Sequence, residues 1–113
     1  MIIFVDIDGT ICQNRDHLRR DRNDPTISYD QVEPYHNRIE KINKLYDEGN
    51  KIVYWTARGV LSKIDHTELT LRQLKEWGCK YHELMINNKP HFDMYICDKS
   101  WNSETYFSNY YKI

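Results

Sequence analysis

The chain opens with MIIFVDIDGT, residues 1–10, and this stretch decides the fold. Residues 1–7 are almost all β-branched, aromatic or otherwise apolar, which is typical of a strand covered on both faces. Because neighbouring residues of a strand point to opposite faces, Asp6 and Asp8 share a side. The two acids either cap a turn or are held at the strand end for chemistry. Gly9, Thr10 and three further motifs accompany them, and we therefore favour chemistry.

Predicted strands and helices alternate along the remainder of the chain. Apolar spacing predicts strands over 51–56, 83–86 and 93–97, and helices over 35–48 and 65–78. The apolar stripe of the second helix is predicted at Leu69, Leu71, Leu74 and Trp77. The polar segment 13–34 is interpreted as a surface loop or small flap, and the Tyr-rich tail 101–113 as a short helix or turn against the sheet.

This alternation predicts an α/β fold in a single domain, residues 1–113, with a mainly parallel sheet and helices on both faces. Right-handed crossovers place the carboxyl ends of such strands at one edge. Ligands bind there in open sheets, near the point where strand order reverses. The polar residues at the predicted strand ends therefore converge on one site: Asp6, Asp8, Thr56, Arg58 and Asp98.

Asp6 can act as a nucleophile and Asp8 as general acid and then base. A carboxylate that attacks a phosphate dianion meets a repulsion of about 4 kcal/mol per unit pair at about 4 Å. Positive charge is therefore required, and we expect Mg²⁺ on the carboxylates of Asp6 and Asp98 and on the main chain of Asp8. Lys89 supplies a further cation and Thr56 holds phosphoryl oxygens. Substrate binding is assigned to Gly9, Thr10, Ala57 and Arg58.

Four motifs in this order resemble those of the haloacid dehalogenase (HAD) superfamily: DIDGT at 6–10, Thr56 in YWTARG, Lys89 in NNKP and Asp98 in YICDK. The chain looks most like short, capless phosphatase-like proteins of capsule and surface-polysaccharide synthesis. The resemblance implies a Rossmann-like HAD fold, with Asp6 as nucleophile, Asp8 as acid/base, Thr56 and Lys89 as phosphate binders, and Asp98 on Mg²⁺. Neither interval between motifs has room for a separate cap domain.

One position departs from the pattern of that group. Its members carry Asp-Asp where this chain has Cys97-Asp98, and Asn102 stands where a further acid is expected. If Asp98 is the ligand, metal binding survives with one fewer nearby charge. If the missing acid is the ligand, activity itself is in doubt.

Two roles are open for the arginine-rich segment 15–22, and two are open for Arg58. The segment is either a solvated face or reaches over the site to hold a second anionic group of the substrate. Arg58 either contacts substrate or pairs with an acid.

The composition of the chain indicates which kinds of binding partner and which cellular compartment to expect. A formal net charge of −1 gives no electrostatic case for nucleic acid or an anionic membrane. Three cysteines without CxxC spacing fit free thiols in a reducing, cytoplasmic setting. The first apolar run is too short for a signal peptide or a membrane span.

An open site admits bulky substrates or borrows a lid from a second copy, which would make a homo-oligomer.

Three functions follow as hypotheses. The first is an Mg²⁺-dependent phosphatase that hydrolyses a small phosphorylated sugar or polyol in surface-polysaccharide biosynthesis. The second is a nucleic-acid 3′-phosphatase, for which the arginine-rich segment is the only support. The third is a catalytically weak binding protein of the same fold, suggested by Cys97.

Overall fold

The computed structural model describes residues 1–15, 28–86, 88–89, 93–94, 96–97 and 99–108. Its strands are β1 (Ile2–Asp6), β2 (Lys51–Thr56) and β3 (Glu83–Ile86), and its α-helices are α1 (His36–Asp47), α2 (Thr67–Glu76) and the single turn α3 (Ser103–Tyr106). A 3₁₀ turn, Tyr29–Gln31, precedes α1. The predicted positions of these strands, of both longer helices and of the short helix in the tail are confirmed to within a few residues.

The three strands form one parallel sheet in the order β1-β2-β3. Asp6 pairs with Trp55, and Thr56 pairs with Ile86, so all three strands end within about one residue of the same level. Parallel direction therefore brings the chain segments after residues 6, 56 and 86 to one edge, as the sequence predicts. The order steps in one direction, and no reversal occurs among the described strands.

Both longer helices pack on the same face of this sheet. The buried cluster joins Val5 of β1 and Tyr54 of β2 to Ile39 and Ile42 of α1 and to Leu74 of α2. Two right-handed crossovers that step in one direction place both connecting helices on one side, which is the physical reason. The prediction of helices on both faces is thus not met within the described residues. On the opposite face Ile2 is 67% and Phe4 50% exposed.

Helix α2 buries part of the predicted stripe, and polar residues complete its buried face. Thr70, Gln73 and Leu74 are buried and Trp77 is half-buried, at the spacing of a helix face. Leu71 lies off this face and is 42% exposed, which corrects its assignment to the core. Two polar residues thereby enter the interior beside the strand ends.

The predicted fourth strand, 93–97, is not formed by the residues described in that segment, 93–94 and 96–97. Of the predicted loop 13–34, residues 16–27 lie outside the description. Its two ends are tied together, because Gln13 donates to the carbonyl of Glu33 at 2.9 Å and Tyr35 to that of Ile11 at 2.8 Å. Across the part of the chain that the structure describes, every helix is too short or too polar to cross a bilayer.

Candidate active site

The chain turns sharply as it leaves β1. The carbonyl of Ile7 accepts hydrogen bonds from the amides of Thr10 and Ile11, both at 3.0 Å. Gly9 has φ +80°, a left-handed conformation that side chains disfavour. This turn carries Asp8 forward, beside Asp6 and above the end of the sheet.

A cavity of about 420 Å³ opens at this edge. The predicted site residues among its lining are Asp6, Asp8, Thr56, Ala57, Arg58 and Lys89. Gly9 and Thr10 are not among the described residues that line it, and the carbonyl of Thr10 instead accepts from Arg38 at 3.1 Å. Asn14, Arg15 and Tyr29 also line the cavity, although the sequence analysis assigned no role to Asn14 or Tyr29.

Asp8 and Arg58 form a bidentate ion pair. Arg58 Nε donates to Asp8 Oδ2 at 3.0 Å, and Arg58 Nη2 donates to Asp8 Oδ1 at 2.9 Å. The Arg58 side chain is fully buried, while that of Asp8 is 19% exposed. Of the two interpretations of Arg58, pairing with an acid is the one observed. Arg58 occupies one lone pair on each oxygen of Asp8, so the carboxylate has one orientation and keeps lone pairs for proton transfer.

Helix α2 holds Arg58 in place through residues that sequence reasoning did not identify. Arg58 Nη1 donates to Thr70 Oγ1 at 3.2 Å and also to Gln73 Oε1. Gln73 in turn donates to the carbonyl of Tyr29 at 2.7 Å, and the Arg58 guanidinium lies 4.6 Å from the centroid of the Tyr29 ring. Thr70 and Gln73 recur at the spacing of the buried helix face, and polar residues at that spacing are the signal that could have found them.

Asp6 pairs with Lys89 on the other side of the cavity. Lys89 Nζ donates to Asp6 Oδ1 at 3.0 Å, and the side chains are 15% and 44% exposed, respectively. Desolvation raises the pKa of Asp6 above its ordinary value of 3.8, and the charge of Asp8 also raises it, whereas Lys89 lowers it. Burial at this position therefore disfavours the charged form of Asp6, and the cation of Lys89 favours it.

Trp55 holds the segment that carries Lys89. Its Nε1 donates to Asn88 Oδ1 at 3.0 Å, and Lys89 Nζ lies 5.3 Å from the centroid of its ring. Because Trp55 pairs with Asp6 in the register of β1 and β2, the indole lies beside the carboxylate that Lys89 contacts. This arrangement places the ammonium group of Lys89 against Asp6 at the end of β1 and leaves the lysine side chain only 15% exposed.

Thr56 lies at the floor of the cavity and is 1% exposed. Its Oγ1 accepts from the amide of Arg58 at 3.2 Å, so its hydroxyl hydrogen remains to donate to a ligand. Ala57 is exposed at the rim.

The predicted metal ligands are only partly described. Asp98 lies outside the described residues, and within those residues no group of three or more His, Cys, Asp or Glu side chains could hold an ion. Mg²⁺ needs only one or two carboxylates when waters and a phosphate complete its shell. Asp6, half-exposed at the cavity, and the main-chain carbonyl of Asp8 are donors of the right kind.

The fold recurs in another solved structure. A crystal structure described as an MCSG target from Vibrio cholerae superposes with a TM-score of 0.73 at 23% identity, and the match covers 93% of this chain and 85% of that one. A likeness at this level of identity concerns the fold alone. No family model and no curated protein matches the chain.

Proposed function

We propose that the protein is a phosphatase of the HAD type, which hydrolyses a phosphomonoester through a phospho-aspartate intermediate. The observation that supports it is the pairing at the strand ends. Asp6 and Asp8 leave one strand on the same cavity, the first against Lys89 at 3.0 Å and the second against Arg58 at 2.9 Å. The two acids thus have different surroundings, as a nucleophile and a proton carrier require.

In the proposed first step, an oxygen of Asp6 attacks phosphorus and the bond from phosphorus to the ester oxygen breaks. Asp8, which must enter this step protonated, gives its proton to the leaving oxygen and becomes the carboxylate, and Arg58 keeps the orientation of Asp8 fixed while it does so. In the second step, Asp8 takes a proton from a water that attacks the phospho-aspartate, which releases phosphate and restores Asp6. Lys89 and the hydroxyl of Thr56 stabilise the oxygens on which charge grows.

Mg²⁺ is the proposed cofactor, held by Asp6, the main-chain carbonyl of Asp8 and Asp98. When bound, it would offset the negative charge between the attacking carboxylate and the phosphate. The resemblance to capless proteins of polysaccharide synthesis suggests a phosphorylated sugar or polyol as the substrate, with the site open to the solvent.

The experiment is a hydrolysis assay of p-nitrophenyl phosphate and a panel of phosphorylated sugars, nucleotides and oligonucleotide ends, each with and without Mg²⁺. We expect Mg²⁺-dependent release of phosphate, and a loss of at least about 10³-fold in Asp6→Asn, which keeps the shape of the side chain and removes the nucleophile.

Arg72→Gln is the matched control, because Arg72 is exposed on α2 and pairs only loosely with Glu76 at 3.9 Å. Equal and negligible rates for the wild type and Asp6→Asn across a metal series would overturn the proposal and favour a binding protein. A preference for oligonucleotide ends that weakens steeply with salt would favour the nucleic-acid phosphatase instead.

A further inference from the structure

The Tyr29 ring brings two arginines together at the cavity. The guanidinium carbon of Arg15 lies 4.2 Å from the ring centroid and that of Arg58 lies 4.6 Å from it. His66 meets the same ring edge-on at a centroid distance of 5.0 Å. Gln73 donates to the main-chain carbonyl of Tyr29, and both cations lie against the ring of that residue.

Within the described residues, only one of these two arginines is paired with an acid. The charged residues that line the cavity are Asp6, Asp8, Arg15, Arg58 and Lys89. Lys89 pairs with Asp6 and Arg58 pairs with Asp8, whereas Arg15 forms no ion pair with any residue in the described part of the chain. Among the described lining residues, positive charges therefore exceed negative charges by one before a ligand binds.

Arg15 also has an unused donor. Its Nε is buried, and no oxygen of the described residues accepts a hydrogen bond from it. A buried N–H without a partner is costly in a native fold and calls for an acceptor. The pKa of His66 is lowered by partial burial and then by the charges of Arg58 and Arg15, which agrees with surplus positive charge around Tyr29.

We infer that the substrate carries a second anionic group, a carboxylate or a second phosphate, and that Arg15 binds it. This inference rests on the proposed function and deepens it, since Lys89 and Thr56 serve the phosphate that is hydrolysed and Arg15 serves the other end. The planar fork of a guanidinium suits either anion, because both offer two oxygens side by side. The substrate class is then a phosphorylated sugar acid or a bisphosphate rather than a neutral sugar phosphate.

The experiment compares substrates that differ only in the second group. The carboxylate pairs are 3-phosphoglycerate against glycerol 3-phosphate and 6-phosphogluconate against sorbitol 6-phosphate, and the bisphosphate pair is fructose 1,6-bisphosphate against fructose 6-phosphate. We expect the anionic member of at least one pair to have the higher kcat/KM. In Arg15→Gln that advantage should fall by about 10- to 100-fold, because kcat/KM falls far more for the anionic member than for the neutral one. Arg15→Lys, which keeps charge without the fork, should retain part of it.

Direct binding separates this inference from the proposed chemistry. The dissociation constant of each probe is measured by calorimetry on Asp6→Asn and on Asp6→Asn with Arg15→Gln, with Arg72→Gln as the exposed control. Tighter binding of the anionic member that disappears with Arg15 supports the inference even if no hydrolysis is found. Equal binding of both members, or a preference that survives Arg15→Gln in a folded variant, overturns it. Which pair responds identifies the second group as carboxylate or phosphate.

Discussion

The two ion pairs of the cavity differ in burial and in what surrounds them. Arg58 is fully buried and anchors Asp8 with two hydrogen bonds, while helix α2 and Tyr29 hold Arg58 from behind. The side chain of Lys89 is also largely buried, with 15% of its surface exposed. Its partner Asp6 is 44% exposed, and a single hydrogen bond joins the two. The pair of Arg58 and Asp8 holds one geometry, which suits a proton carrier. The pair of Lys89 and Asp6 leaves a carboxylate accessible, which suits a nucleophile.

The comparison is tested most strongly by the free energy of unfolding. Arg58→Ala leaves Asp8 without its cation and also removes partners from Thr70 and Gln73, and we expect it to cost about 3 kcal/mol or more. Lys89→Ala breaks a half-exposed pair and should cost under about 1 kcal/mol. Urea unfolding of both variants beside the wild type measures the difference. Similar losses of stability in the two variants would mean that burial does not distinguish the two ion pairs.

Lys89 should contribute much more to activity than it does to the free energy of unfolding. Lys89→Met removes the cation that faces both Asp6 and the proposed phosphate, and we expect kcat/KM to fall about 10²-fold. Because Lys89 lowers the pKa of Asp6, its loss raises that pKa further, and the acid limb of the pH profile should move to higher pH. A profile of kcat/KM against pH for both proteins measures the shift. An acid limb that stays in place or moves down would exclude Asp6 as the group that titrates.

A smaller effect is expected where Trp55 supports Lys89. Trp55→Phe keeps an aromatic face for the lysine but deletes the donor to Asn88, and should cost about 1 kcal/mol of stability. Since the lysine segment is then less well held, kcat/KM should fall by up to about tenfold. Phe4→Leu is the control, because Phe4 contacts the same indole edge-on from the exposed face and leaves the donor to Asn88 in place. If the control lowers kcat/KM as much, the hydrogen bond to Asn88 has no special role.

Local pattern predicted the strands well and the arrangement around them less well. The predicted bounds of β2 and β3 coincide with the observed ones because short apolar runs between turns leave little choice. The predicted stripe of α2 includes Leu71, which is 42% exposed, because hydrophobicity alone does not fix the phase of a helix; the fold buries Thr70 and Gln73 instead. Those two residues face inward because a buried arginine needs acceptors, and that need is visible only once Arg58 has been placed.

In the candidate site, too, local pattern predicted some features and only the tertiary arrangement decided the others. The positions of Asp6 and Asp8 at a strand end could be predicted, because strand direction and the period of two depend on neighbouring residues alone. The sequence also predicts Lys89 and Arg58 at this edge, but it does not predict which acid each of them pairs with or the role of Tyr29. The residues in the two ion pairs are 50 and 83 positions apart, and no local pattern connects them.

By itself, the sequence determined where β1, β2 and β3 run, that they are parallel, and that two carboxylates emerge together at the end of β1, whereas the strand it also predicts over 93–97 is not formed by the residues described there. Only the tertiary structure decided that Arg58 turns inward to Asp8, that Lys89 takes Asp6, and that Arg15 is left without an acid among the described residues. The physical reason is that secondary structure follows from neighbours along the chain. The choice of partner for a charge depends instead on which side chains burial brings within hydrogen-bonding distance.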